Sequence, residues 1–210
     1  MIIRVILISL VFLLTEGCLD SSKSKLPIYG FKRAVEKTIN GKKVIDSLDH
    51  QIPSFSLVDQ DSTIITEATV ADKVYLVDFF FTSCFTICPK VKKNMKRVYK
   101  SYLDNEDVLI LSHSIDYRFD TVERLAWYAD KFDIDAKKWH LLHGSYDEML
   151  RMSYAYLLTA LEDKEAPGGF DHSGSIALID RQRRIRGFYD GTDSEKMDDL
   201  IRDIAILLEE

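Results

Sequence analysis

Hydrophobic positions change their period several times along the chain, and each change marks an element. Residues 74–81 (VYLVDFFF) form an almost unbroken apolar, β-branched and aromatic run of strand length, the pattern of a strand covered on both faces. From Pro89 the spacing shifts: Val91, Met95, Val98 and Tyr102 recur at helical steps, which predicts one buried helix face with Pro89 as the first helical residue. Residues 108–115 (VLILSHSI) predict a second buried strand, followed by Asp120 as an N-cap and a helix over 121–131. A short strand over 139–143, a helix over 146–158, a hairpin pair at 174–180 and 185–189, and an amphipathic helix over 195–208 complete the series. Strands and helices in alternation, closed by a hairpin, predict an α/β sandwich with a mixed central sheet and flanking helices. The connector 159–173, which contains Pro167-Gly168-Gly169, is long, and long loops inside compact domains are often functional.

The start of the chain follows a different logic. Residues 1–17 (MIIRVILISLVFLLTEG) carry one positive charge at Arg4, an apolar run over 5–14 and Gly17 immediately before Cys18. The run is too short to span a bilayer comfortably and reads as a targeting segment. It resembles a bacterial lipoprotein signal, in which Cys18 becomes the lipidated first residue, although Thr15 and Glu16 are not the usual small apolar pair. An ordinary secretory signal or an uncleaved anchor would export the domain equally. The expected location is the bacterial cell envelope, on the extracytoplasmic (periplasmic) side of a membrane. Residues 18–51 read as a tether and then a hairpin turning at Asn40-Gly41, with a compact domain over 52–210.

Composition narrows the function. At 210 residues, 46% hydrophobic, with 9 Gly and 4 Pro, the chain can fill one ordinary core and lacks the bias of disordered sequences. A balance of 28 basic to 34 acidic residues, net −6, argues against a nucleic-acid binder working through general charge. Six basic residues nonetheless fall between Lys90 and Lys100; each reads singly as part of a solvated helix face, and together they could meet an acidic partner. Three cysteines are too few for a disulfide scaffold, and they divide into Cys18 alone and Cys84 with Cys88.

Cys84 and Cys88 lie at the carboxyl end of a buried strand and the start of a helix, where open α/β sheets place their sites. If the residues between them are helical, the pair lies on one face, able either to form a disulfide or to share a metal. A helix N-terminus also favours thiolate, the form that acts as nucleophile and as ligand. The plainer alternative is a structural or labile disulfide, since exported cysteines oxidise. Of the histidines, His113 falls within a buried strand and reads as packed and hydrogen-bonded. His140 and His143 would point to opposite faces of a strand and not share a metal. Trp127, Trp139 and Phe79–Phe81 read as core.

The strand, FTSC, three residues and CP, with a later DHS before the strand IALID, together resemble the Sco/SenC family of copper-binding, thioredoxin-like proteins. The resemblance runs from about Ile52 to Asp193. It implies a thioredoxin-like fold, Cys84, Cys88 and His172 as metal ligands, and Asp116, in HSIDYRFDT, as a supporting acidic residue. Phe85 and Tyr117 stand where the family commonly has proline. Two thiolates and one imidazole form a soft site suited to Cu(I), and the imidazole helps to accommodate Cu(II). A structural zinc site would more often recruit a fourth protein ligand.

The resemblance implies a membrane-tethered copper chaperone supporting the dinuclear copper centre of cytochrome c oxidase subunit II, or serving another cuproprotein, with no small-molecule turnover. The alternative is an extracytoplasmic thiol-disulfide oxidoreductase that uses Cys84 and Cys88 on a cuproprotein partner. Against a general thioredoxin role, the spacing is CxxxC, and no proline stands immediately before residues 174–180, where such oxidoreductases carry one; His172 is there instead. Peroxidase chemistry on the same fold ranks last, because a peroxidatic cysteine does not require His172.

Overall fold

The computed structural model describes residues 25–163, 165 and 169–210, the side chains of Asp171 and His172 excepted. The targeting segment, Cys18 and Pro167-Gly168 lie outside the described residues. In chain order the elements are β1 (Arg33–Ile39), β2 (Lys42–Leu48), β3 (Ser56–Val58), β4 (Ile64–Thr66), β5 (Val74–Phe80), α1 (Cys88–Ser101), β6 (Val108–Ser114), α2 (Val122–Lys131), β7 (Trp139–Leu142), α3 (Tyr146–Tyr156), β8 (Ala160–Glu162), β9 (Phe170–His172), β10 (Ser175–Ile179), β11 (Ile185–Asp190) and α4 (Ser194–Glu209).

The central sheet runs in the order β11-β10-β5-β6-β7. β5, β6 and β7 are parallel, with Val74 opposite Val108 and Ile110 opposite Trp139. β10 runs antiparallel to both β5 and β11, so the sheet is mixed as its pattern predicts. Every residue of β5 and β6 is buried, because both faces are covered. Alternate residues of β5 face opposite cores. Val74, Leu76 and Phe80 meet the apolar stripes of α1, α2 and α4, while Tyr75, Val77 and Phe79 meet α3 and the β3–β4 pair.

The helix ends follow local chemistry. Ser145 and Glu148 form a reciprocal capping box on α3, and the Asp193 carboxylate accepts from the backbone N–H groups of Glu195 and Lys196 to open α4. α2 departs from expectation: Thr121, not Asp120, is its N-cap, accepting from the Arg124 N–H. Helix α1 begins at Cys88, so Pro89 is its second residue and not its first.

Before the central sheet the chain makes an excursion. The Tyr29 N–H donates to the Ile185 carbonyl at 2.9 Å, and Arg186 donates to the carbonyls of Leu26 and Pro27, so residues 26–29 lie along β11. The exposed β1–β2 hairpin then turns at Asn40-Gly41, both with positive φ, and the chain returns through the Ile52 N–H bonded to the Arg183 carbonyl.

Candidate functional site

β5 delivers the chain to the carboxyl end of the sheet, where a non-helical loop over residues 82–87 separates the cysteines. The helical spacing considered for Cys84 and Cys88 is therefore not what joins them: Cys84 sits in the loop and Cys88 opens α1. A tight turn, Cys84 N–H to the Phe81 carbonyl at 3.2 Å, starts the loop. Asp120, fully buried, anchors it: its carboxylate accepts from the Thr82 N–H (2.9 Å), the Thr82 hydroxyl (2.5 Å) and the Ser114 hydroxyl (2.6 Å). Arg124 adds an Nε–H bond to the Thr82 hydroxyl at 3.0 Å. Burial pushes the Asp120 pKa up, against the pull of those donors from Ser114 and Thr82.

Asp116 lies two residues beyond the end of β6. Its carboxylate accepts from the Phe119 N–H at 3.2 Å and its carbonyl from the Asp120 N–H at 2.9 Å, closing the turn that brings Asp120 inward.

The two thiols differ sharply. Cys84 is half-buried, which works against ionisation. Hydrogen bonds from the Thr86 and Cys88 side chains, and from the N–H groups of the same two residues, outweigh that penalty and hold its pKa below the ordinary thiol value. Its sulfur lies 3.5 Å from the Thr86 hydroxyl. Cys88 is 4% exposed, and burial first, then the neighbouring Cys84 sulfur, push its pKa well up. The two cysteines form no disulfide, and their side chains lie within hydrogen-bonding reach of each other. Between them Phe85 is 77% exposed, an apolar side chain held out beside the sulfur.

His172 ends β9, opposite Ala160 of β8, so the connector expected to be a bare loop contains a short antiparallel pair. Its flanking residues set its place along the backbone. Phe170 packs on Phe81 with ring centroids 5.3 Å apart. Gly174, at φ +64°, is so close to α1 that an added Cβ would lie 3.0 Å from Ile87 Cδ1 and 3.5 Å from Val91 Cγ2. Gly174 also lines a small cavity with Cys88 and Asp78. From the other side, the Gly191 N–H donates to the Gly174 carbonyl at 3.0 Å, and buried Asn94 of α1 donates to the Gly191 carbonyl at 2.8 Å. The β9–β10 corner is thus fastened to the start of α1, against Ile87 and Val91 on either side of Cys88. Among the described residues no three His, Cys, Asp or Glu side chains gather to hold a metal; the side chain of His172 is outside that set.

Residues 45–209 match the SCO1/SenC family model, nearly the whole span of this architecture. The chain belongs to the SCO1/SenC family. Three solved structures place this SCO1/SenC chain among its relatives. A SCO1/SenC family lipoprotein from Bacillus anthracis is 28% identical, with TM-score 0.68 over 75% of this chain and 95% of that one. BsSco, a member of the Sco family of cytochrome c oxidase assembly proteins with an identified disulfide switch, is 26% identical, with TM-score 0.67 over 76% and 94%. Copper-bound ScoI from Bradyrhizobium japonicum is 25% identical, with TM-score 0.60 over 71% and 97%. These likenesses carry the thioredoxin-like fold expected from the motifs. Among the described residues of this SCO1/SenC chain, no helix is long and apolar enough to cross a membrane.

Sequence reasoning missed several residues around the site. Lys92, expected on a solvated helix face, is 4% exposed, with Nζ over the rings of Phe80 and Trp139 at 4.5 Å each. Desolvation lowers its pKa, against the attraction of Asp78 and Cys88. Asp78 is itself buried and accepts from the Ser112 hydroxyl, which accepts in turn from Trp139 Nε1–H at 2.8 Å. Trp139 is core as expected, whereas Trp127 is exposed beneath Arg124 and Lys131. His140 pairs with buried Asp59 at 2.9 Å. His113 stacks on Phe79 and, among the described residues, neither ring nitrogen has the hydrogen bond expected of it. Burial drops its pKa to about 3.

Proposed function

We propose that this protein is a membrane-tethered copper chaperone that takes up copper through Cys84, Cys88 and His172 and passes it to a cuproprotein, the dinuclear copper centre of cytochrome c oxidase subunit II being the target. The observation that carries this reading is the unequal thiol pair at an open strand end: two soft sulfurs in mutual contact, one already biased toward thiolate. Cys84 would engage the ion first, and loss of the Cys88 proton to solvent would complete a two-sulfur grip, so uptake releases protons. His172, on the corner fastened to α1, would supply the third donor. Three ligands leave Cu(I) open to attack by an acceptor's ligand, and this suits transfer better than storage. Asp116 would support the site through the turn that presents Asp120. The copper-bound relative, the oxidase-assembly relative and the lipoprotein relative all point the same way. Cys18 would carry the lipid that holds the domain on the extracytoplasmic side of an envelope membrane.

The test is anaerobic competition titration of the reduced protein with Cu(I). Cys84→Ser and Cys88→Ser should each abolish tight binding and His172→Ala should weaken it; unchanged affinity in all three rejects the site.

The same asymmetry favours a second reading, thiol-disulfide exchange with a cuproprotein's oxidised cysteines. The Cys84 thiolate would attack one partner sulfur and expel the other as thiolate. Cys88, losing its proton, would then attack Cys84 and release the partner reduced by two electrons, leaving a Cys84–Cys88 disulfide for an external dithiol to reduce. Cys88→Ser should trap the mixed disulfide through Cys84 in the absence of copper. Failure of Cys88→Ser to trap a partner removes this reading.

A further inference from the structure

Beside the cysteine site, α1 and the segment joining α2 to β7 enclose a groove of about 440 Å³. Its floor is apolar, with Trp139, Phe132 and Ile134, and Pro89 forms the end nearest Cys88. Around that floor stand Lys92, Lys93, Lys96, Arg97 and Lys100 from α1 and Lys131 from α2, against one carboxylate, Asp133. The protein as a whole is net −6, so this is a local reversal of sign.

The fold uses only some of these cations. Lys96 donates to the carbonyls of Phe132 and Asp133, and Arg97 pairs with Asp198. Lys93, Lys100 and Lys131 are exposed and join no ion pair among the described residues. Lys92 is buried in the groove wall, and its Nζ has no hydrogen-bond partner among the described residues. Unpaired cations around an apolar, concave floor are a complement to negative charge.

The spacing selects the kind of anion. Lys93 and Lys100 are seven residues apart on one helix, so their Cα atoms are separated by about 10 Å along its axis. A single phosphate cannot reach both ends of such an array, whereas three or four extended residues, at about 3.3 Å each, can. We propose that this groove docks an acidic peptide segment, a short run of Asp and Glu on the partner protein, with the segment's chain lying along α1 from Pro89 toward Lys100. Docking there sets the partner beside Cys84, Cys88 and exposed Phe85. The identity of that protein as the copper acceptor rests on the function proposed above; the binding itself does not.

The test is isothermal titration of the metal-free, reduced protein with acetylated hexaglutamate at low ionic strength, with hexaglutamine as the neutral control. Hexaglutamate should bind and hexaglutamine should not. Lys93→Glu/Lys100→Glu/Lys131→Glu should weaken binding by about tenfold or more, and added salt should weaken it in the wild type. The three side chains are exposed, so the variant should keep the wild-type circular dichroism spectrum and Cu(I) affinity. That retained affinity separates the groove from the metal site: loss of peptide binding alone supports docking whether or not the chaperone reading survives. Equal hexaglutamate affinity in wild type and variant, no binding at millimolar peptide, or displacement of the peptide by an equal concentration of inorganic phosphate would overturn the proposal.

Discussion

Replacing Asp120 tests whether the cysteine loop is held from behind, as the hydrogen bonds indicate. Asp120→Ala removes the acceptor for three donors: the Thr82 N–H, the Thr82 hydroxyl and the Ser114 hydroxyl. Ser114 is buried, so its orphaned hydroxyl alone costs about 1–3 kcal/mol. The Thr82 groups are half-buried and can be partly rehydrated, adding about 1 kcal/mol together. The expected loss is therefore about 2–4 kcal/mol, read from the urea midpoint at constant m-value. Asp120→Asn is the informative control. Its amide oxygen can still accept from the Thr82 N–H and Ser114, and the Thr82 hydroxyl, already accepting from Arg124, can turn its proton away, so the cost should fall to about 1 kcal/mol. Loosening the loop also spreads the donors on Cys84, so Asp120→Ala should alkylate more slowly at neutral pH than wild type as the Cys84 pKa returns toward its ordinary value. An alanine variant within about 0.5 kcal/mol of wild type, the range of an ordinary surface substitution, would refute the anchoring role.

Further outcomes follow from the same geometry. In reduced, metal-free protein, Cys84 should react with iodoacetamide at lower pH than Cys88, and Cys88 only when denaturant opens the core; equal rates would contradict the burial and hydrogen bonding found here. His113 is neutral when folded, and its pKa of about 3 lies below the ordinary value of 6.5. The unfolded chain therefore binds the extra proton first, and stability conferred above about pH 6.5 is lost as pH falls toward 3. From pH 7 to 4.5 that loss is about 3 kcal/mol, and His113→Phe, measured by urea denaturation, should lack it. Gly174→Ala should cost about 1–2 kcal/mol for left-handed backbone, with Gly174→Asn costing less, and both should weaken Cu(I) binding through the corner that carries His172. Intact stability and affinity in the alanine variant would show that the corner does not position the site.

The parts of the fold legible in the sequence are those whose cause is local. The runs VYLVDFFF and VLILSHSI read as buried strands because a strand covered on both faces shows no alternation, and every one of their strand residues is buried. The β3–β4 and β8–β9 pairs were not legible: each strand has only three residues, too few to show a period, and they form because neighbouring segments supply their partners. Lys92 shows the same limit within a helix. It follows Val91 at the margin of a stripe whose width depends on what packs against it; large rings from β5 and β7, distant in sequence, extend the burial by one position.

The site divides along the same line. Cys84, Cys88 and His172 stand out in the sequence as candidate ligands because their chemistry is rare and their spacing specific, whereas the contacts that hold the cysteine loop come from common residues in long-range roles. Asp120 precedes a helix and has the composition of an N-cap, but Thr121 can perform that task with its own hydroxyl. A cap at Thr121 leaves the Asp120 side chain available, and Thr82 and Ser114, from two different strand ends, turn it into the anchor of the cysteine loop. The substitution that separates these roles is Thr121→Ala: it should cost about 1 kcal/mol of helix stability while leaving Cys84 reactivity unchanged. Asp120→Ala should alter both stability and reactivity. If the two substitutions shifted Cys84 equally, the loop would be held by α2 as a whole and not by one carboxylate.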